Sequence, residues 1–252
     1  MNKKKYKALM LDLDGTTIPN RLDGMPSKAV INAVAKASKL LHVGVVTARP
    51  FNYAKSVIES LEINGPSILT GGAQVVDVKV GTVLWQKFIP KKNLKEINEV
   101  IKGFNLTYGF DYSNDNSGFS KNPELRLEDT IAIKIPEVSF RSAEAVMEKL
   151  EKFKDVIAHK IGGVKKEKLW IQISHAEATK QHGIFEVAQI LNIDTHEIIG
   201  VGDSYNDFPL LMACGLKVAM GNAVTELKEI ADYIAPSVEE DGVVDVIEKF
   251  VL

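Results

Sequence analysis

Along the first third of the chain, short apolar runs alternate with segments whose apolar positions fall three and four residues apart. Tyr6 to Leu13 is short, mostly apolar and ends in acids. That pattern predicts a buried parallel strand with polar groups at its C-terminal tip. Pro26-Ser27 opens a helix carrying Ala29, Val30, Ala33, Val34 and Ala37 on one face. Leu40 to Val46 reads as the next strand, and Phe51 to Leu61 as a helix with Ala54, Val57, Ile58 and Leu61 aligned. Ser67 to Thr70 is a third strand, closed by Gly71-Gly72. This βαβαβ order predicts a parallel sheet with helices on its faces.

The rhythm then changes. Gln74 to Phe88 predicts a hairpin turning near Lys79-Val80-Gly81, and Lys91 to Lys102 an amphipathic helix. Phe104 to Phe110 and Asp129 to Ile135 read as strands around the polar stretch 111–122. Ser142 to Phe153 reads as a helix, and Val156 to Ile161 with Lys168 to Ser174 as a second hairpin turning at Gly162-Gly163. Helix, two strands, helix, two strands is an α+β unit. From Thr179 the βα alternation returns: Lys180 to Leu191 helical, Glu197 to Val201 a strand, Asp207 to Cys214 a short helix, Leu216 to Met220 a strand. Ala223 to Ala231, Tyr233 to Ala235 and Gly242 to Phe250 continue as helix, strand and helix. The expected fold is therefore α/β, a Rossmann-like parallel-sheet core interrupted by an α+β insert. The expected division is a discontinuous core, 1–87 plus 176–252, and an insert, 88–175.

Composition narrows the classes. The 252 residues are 45% apolar and 25% charged, which excludes collagen-like, disordered and disulfide-scaffold chains. The formal net charge of -2 carries no basic footprint, so no nucleic-acid partner is expected. The basic run Lys3-Lys4-Lys5 reads as a solvated tail. No apolar run is long enough for a membrane span, and the one cysteine, Cys214, fits a reducing compartment; a cytoplasmic location is expected. The five histidines lack metal-ligand spacing, which argues against zinc.

Two acidic clusters end predicted strands, where parallel sheets bind their ligands. In Asp12-Leu13-Asp14-Gly15-Thr16, two carboxylates so close repel unless a cation or proton sits between them. They suit a hard divalent metal, Mg²⁺, and equally a nucleophile beside an acid–base group. In Gly200-Val201-Gly202-Asp203-Ser204-Tyr205-Asn206-Asp207, Asp203 could complete the metal site. Asn206 and Asp207 could support a ligand, a metal-bound water or Lys180. Thr47, after the second strand, offers a hydroxyl to a phosphate oxygen, and Lys180 offers a cation to both phosphate and carboxylates. Singly, each has a plainer reading: Asp203 and Asp207 as helix caps, Lys180 as a surface residue. The lysines between His159 and Lys168 read as a solvated hairpin tip or an anion-attracting lip.

Asp-Leu-Asp-Gly-Thr, a strand-end Thr, a lone Lys and Gly-Asp-Ser-Tyr-Asn-Asp, in that order over the whole chain, resemble the haloacid dehalogenase-like superfamily. The insert between Thr47 and Lys180 resembles the large α+β cap of its Cof-like phosphatases. The resemblance implies Asp12 as nucleophile, forming an aspartyl-phosphate, and Asp14 as the acid that protonates the leaving group and then activates water. It implies Thr47 and Lys180 as catalytic phosphoryl ligands, with Arg49 grouped among the substrate-binding residues. It implies Mg²⁺ held by the Asp12 side chain, the Asp14 main-chain carbonyl and Asp203, with Asn206 and Asp207 in support. The implied activity is a phosphatase acting on a small phosphorylated metabolite such as a sugar phosphate. A phosphomutase of the same superfamily would return the phosphoryl group to substrate; a receiver-like signalling module would hold acids, a Thr and a Lys on a parallel sheet without a cap. Two departures stand out: Ala48 where Cof-like proteins usually have Gly, and Gly71-Gly72-Ala73 in place of Asn-Gly-Ala.

Overall fold

The computed structural model describes residues 6–21, 23–162 and 167–252. The Lys3–Lys5 run, Gly163 of the second hairpin's turn, and Lys165 and Lys166 of the lysine-rich tip lie outside the described residues. The chain forms two compact units, one built from 1–85 and 180–252, the other from 86–179.

The first unit is α/β. Its strands and helices follow in order: β1 (Ala8–Leu11), α1 (Lys28–Ala37), β2 (His42–Val45), α2 (Phe51–Ser60), β3 (Pro66–Leu69), β4 (Gln74–Asp77) and β5 (Thr82–Gln86). Five strands form a parallel sheet; β1 lies inside it, flanked on one side by β2 and on the other by the returning strand Ile198–Gly202. Beyond that strand come Leu216–Ala219 and then Tyr233–Ile234. All four residues of β1 are fully buried, which is why its apolar run does not alternate. Helix α1 buries Val30, Ala33, Val34 and Ala37, four of the five positions read from the sequence, while Ala29 lies exposed in the first turn. Its start is fixed by Ser27, whose Oγ accepts the Val30 N–H at 3.1 Å. A further parallel bridge joins Val46 to Ile68, and β3 pairs antiparallel with β4, which pairs on with β5.

The second unit contains α3 (Lys91–Gly103), β6 (Gly109–Tyr112), β7 (Thr130–Val138), α4 (Phe140–Leu150), β8 (Val156–Gly162) and β9 (Leu169–His175). Its four strands form an antiparallel sheet in the order β6-β7-β9-β8. Phe110, Tyr112, Ile133, Ile135, Ile171 and Ile173 share one apolar core with Leu94, Ile97 and Val146 of the helices. Strand alternation puts Asp111, Lys134 and Gln172 on the opposite face. There Lys134 Nζ pairs with Asp111 Oδ2 at 2.7 Å, both side chains being buried. Two element starts in this unit differ from the sequence reading by two residues or more, and the ends of β7 and α4 lie at Val138 and Leu150 where Ile135 and Phe153 were expected. The expected strand Phe104 to Phe110 begins only at Gly109, because Phe104 terminates α3 and Asn105 takes a left-handed turn. The expected helix from Ser142 starts at Phe140, because Ser139 caps it through Ser142 N–H at 3.1 Å.

The chain re-enters the first unit through α5 (Lys180–Leu191), followed by β10 (Ile198–Gly202), α6 (Phe208–Ala213), β11 (Leu216–Ala219), α7 (Thr225–Glu229), β12 (Tyr233–Ile234) and α8 (Gly242–Phe250). The helix expected from Asp207 is a 3-10 turn over Tyr205–Asp207 leading into α6, with Pro209 in the first turn, where a missing N–H costs nothing.

Candidate active site

The register of the parallel sheet assembles the site. Leu11 of β1 pairs with Val201 of β10 and Val45 of β2, so the three strands end level with one another. The chain leaves the sheet to opposite sides at β1 and β10, and the crevice at such a reversal is where α/β sheets hold their ligands. Asp12 continues from β1, its N–H donating to Val201 O at 3.0 Å; Asp203 follows β10; Thr47 follows β2, its N–H donating to Ile68 O at 2.9 Å.

Lys180, the first residue of α5, completes the cluster from 168 residues away. Its Nζ donates to Asp12 Oδ1 and to Asp207 Oδ1, each at 2.6 Å, and all three side chains are buried. Asp207 Oδ2 accepts the N–H groups of Asp203 and Ser204, both at 3.0 Å. Both oxygens of Asp207 are therefore committed, one to Lys180 and one to the loop that presents Asp203. One carboxylate oxygen each from Asp12, Asp203 and Asp207 lies within 4.8 Å of the others. Since Asp207 is engaged in this way, Asp12 and Asp203 are the side chains of that trio best placed to ligate a metal ion.

Two glycines make the approach possible. Gly15 sits at φ +87°, and a Cβ there would stand 2.4 Å from Asp203 Oδ2, so any side chain would displace that carboxylate. A Cβ on Gly202 would stand 2.5 Å from the Asp207 Cβ and Cγ.

The electrostatics follow from this crowding. Burial holds the Asp12 carboxyl well above the usual carboxylate range; Lys180 opposes that, and Asp207 and Asp203 reinforce it. Burial, with Asp207 next in weight, pushes Asp203 up to about 7. Burial works against the Lys180 ammonium, yet Asp12 and Asp207 outweigh it and raise its affinity for the proton. The excess of negative charge and the hard oxygen donors fit a divalent cation.

Asp14 and Arg49 form a fork. Arg49 Nε donates to Asp14 Oδ2 at 2.9 Å, and its Nη2 donates to Asp14 Oδ1. The Arg49 backbone N–H donates to Thr47 Oγ1 at 3.1 Å. That bond uses the hydroxyl as an acceptor, so its own O–H can still donate to an anion. Asn206 makes no hydrogen bond to this cluster among the described residues. Gly71, where Cof-like proteins usually carry Asn, has φ +65°, a conformation Asn and Gly share. The replacement keeps the turn and removes the side chain.

Three positioning residues carried no role in the sequence reading. Thr16 Oγ1 donates to Asp203 Oδ1 at 2.8 Å, and Thr17 Oγ1 to Asp12 O at 2.6 Å. Asn222 Nδ2 donates to Gly15 O at 2.8 Å, while its Oδ1 accepts the Val238 N–H at 2.8 Å. The threonines follow the acidic motif directly, which was a usable signal; nothing in the spacing of Asn222, 207 residues from Gly15, announces its part.

A parallel α/β sheet with carboxylates, a lysine and a strand-end threonine at its reversal point defines the class of molecule. A family profile for the haloacid dehalogenase-like hydrolases matches residues 9–247. The chain belongs to that family, and it is an enzyme of the phosphatase kind. It is 25% identical to the 5-amino-6-(5-phospho-D-ribitylamino)uracil phosphatase YcsE of Bacillus subtilis, over 98% of this chain and 96% of that one. A superfamily phosphatase from Bacteroides thetaiotaomicron superposes with a TM-score of 0.82 at 21% identity, covering 99% of this chain and 96% of that one. A subclass IIB sugar phosphatase superposes with a TM-score of 0.80 at 21% identity, over 97% and 98% of the two chains. No helix among the described residues is long and apolar enough to cross a membrane.

Proposed function

We propose that the protein is a Mg²⁺-dependent phosphatase of small phosphorylated metabolites that works through an aspartyl-phosphate on Asp12. The observation that carries this reading is the buried Asp12–Lys180–Asp207 chain beside Asp203. Lys180 neutralises part of the carboxylate charge, and the remainder calls for a cation before a phosphate dianion can approach. The Asp12 side chain, the Asp14 main-chain carbonyl and Asp203 would hold Mg²⁺. When bound, it supplies charge neutralisation at the phosphoryl oxygens.

The chain's own residues do the rest. Lys180 orients Asp12 and offers its charge to the phosphoryl group. The Thr47 hydroxyl donates to a phosphoryl oxygen. Asp12 attacks phosphorus, Asp14 gives its proton to the departing oxygen, and Asp14 then takes a proton from the water that releases phosphate. Arg49, expected among the substrate-binding residues, turns its guanidinium onto Asp14 and is given no phosphate contact in this scheme. The unit 86–179 is proposed as a cap that sets selectivity. Cys214 as the one thiol is in keeping with a cytoplasmic enzyme.

The test is hydrolysis of p-nitrophenyl phosphate and a panel of sugar phosphates with Mg²⁺. Activity abolished by EDTA and by Asp12→Asn supports the reading; wild-type rates in Asp12→Asn overturn the nucleophile. Isomerised product in place of free phosphate would make the enzyme a mutase.

A further inference from the structure

We infer that Arg49 is the positioning residue that fixes the plane of the Asp14 carboxylate for its acid–base work. This rests on the phosphatase reading above. The Arg49 backbone is tied on both sides of the side chain: its N–H donates to Thr47 Oγ1 and its carbonyl accepts the Thr70 N–H at 3.0 Å. From that fixed base the guanidinium places two donors on the two oxygens of Asp14. A two-point fork fixes the plane of a carboxylate, which a single point charge cannot do. The pair is partly open to solvent, with 17% and 31% of the two side chains exposed. Pairs of that kind add little to stability. What the fork supplies is orientation.

The work that needs Asp14 held in a fixed plane includes the step that follows transfer of the phosphoryl group to Asp12. At that stage water oxygen bonds to phosphorus, the bond from phosphorus to the Asp12 oxygen breaks, and the water proton passes to Asp14. Asp12 is regenerated as a carboxylate and inorganic phosphate leaves. Each Asp14 oxygen keeps a lone pair beyond the one given to Arg49, so it can accept that proton without losing the fork.

The experiment compares wild type, Arg49→Met and Arg49→Lys in Mg²⁺ buffer. It uses p-nitrophenyl phosphate and acid-quench measurement of phosphoenzyme. The expected result for Arg49→Met is a kcat lower by about 10²-fold, as for a misplaced catalytic group. With p-nitrophenyl phosphate, whose leaving group needs no proton from Asp14, a nitrophenolate burst stoichiometric with enzyme should appear and phosphoenzyme should accumulate. Arg49→Lys should fall between, since it restores charge without the fork. A raised KM with no burst and no accumulated phosphoenzyme, in an Arg49→Met protein that melts like wild type, overturns the inference and makes Arg49 a substrate ligand. If Arg49→Met melts lower, the same burst and quench readings on Arg49→Lys decide. A wild type without phosphatase activity overturns the function itself; an active wild type with no burst in either variant overturns only the role of Arg49.

Discussion

Replacing Asp203 by Asn should stabilise the protein without metal and disable it with metal. In the fold, burial and Asp207 lift the Asp203 carboxyl from 3.8 to about 7. At 1.36 kcal/mol per pKa unit, that lift corresponds to about 4 kcal/mol of unfavourable charge burial above pH 7. The residue is partly open to solvent, so screening leaves roughly 2 kcal/mol. The sign follows from proton counts: between about pH 4 and 7 the folded chain binds more protons at this group than the unfolded chain. Stability therefore falls as pH rises through that window, and the full penalty applies above it. Asn removes the charge and can still accept the Thr16 hydroxyl. In EDTA at pH 8, thermal melts should place Asp203→Asn roughly 4–8 °C above wild type. At pH 4.5 that advantage should nearly vanish. Mg²⁺ at 100 times its Kd returns about 2.7 kcal/mol to wild type and little to the variant, cancelling or reversing the order. A variant less stable than wild type in EDTA at pH 8, or equally favoured at both pH values, refutes the reasoning.

Lys180→Met leaves Asp12 and Asp207 facing each other without their shared cation, and should cost about 3–5 kcal/mol at pH 7 by denaturant titration. Gly15→Ala forces a residue with a side chain into φ +87° and into the Asp203 carboxylate; a loss of about 1–3 kcal/mol and of the Mg²⁺-induced rise in melting temperature is expected. Asn222→Ala frees the Gly15 carbonyl and the Val238 N–H, and should lower stability by about 1–3 kcal/mol, with kcat falling more than KM rises. Because Mg²⁺ must displace the proton on Asp203, calorimetric Mg²⁺ affinity should drop about tenfold per pH unit below pH 7 and level off above it.

The parallel layer was legible because each of its signals is local. The unbroken apolar run before Asp12 marks a strand buried on both faces, and Val30 to Ala37 mark a helix with one buried stripe. Boundaries were lost where a cap or turn decides them: Ser139 starts α4 two residues before the expected Ser142, and Asn105 breaks the expected strand from Phe104. In the site, residue types at strand ends pointed to Asp12, Thr47 and Asp203. The partnerships among them were not legible, because a hydrogen bond such as Lys180 to Asp12 spans 168 residues and leaves no periodicity behind. Arg49 shows the limit well. Its position beside Thr47 suggests a phosphate ligand, and only the coordinates show its guanidinium turned onto Asp14.

The local charge balance explains why these acids are tolerated in a chain whose overall charge is nearly neutral. Asp12, Asp203 and Asp207 bring carboxylate oxygens within 4.8 Å of one another. At an effective dielectric near 20, each such pair repels by about 3 kcal/mol. Lys180, at 2.6 Å from two of the acids, offsets the repulsion involving Asp12 and Asp207. Among the described residues it makes no hydrogen bond to Asp203, whose carboxylate accepts from the neutral Thr16 hydroxyl, so Asp203 stays poised near neutrality. The remaining charge can be closed in two ways. In the proposed mechanism a protonated Asp12 would be no nucleophile, whereas a divalent cation would leave Asp12 ionised, so the same crowding that burdens the empty fold would select the metal-loaded form as the reactive one.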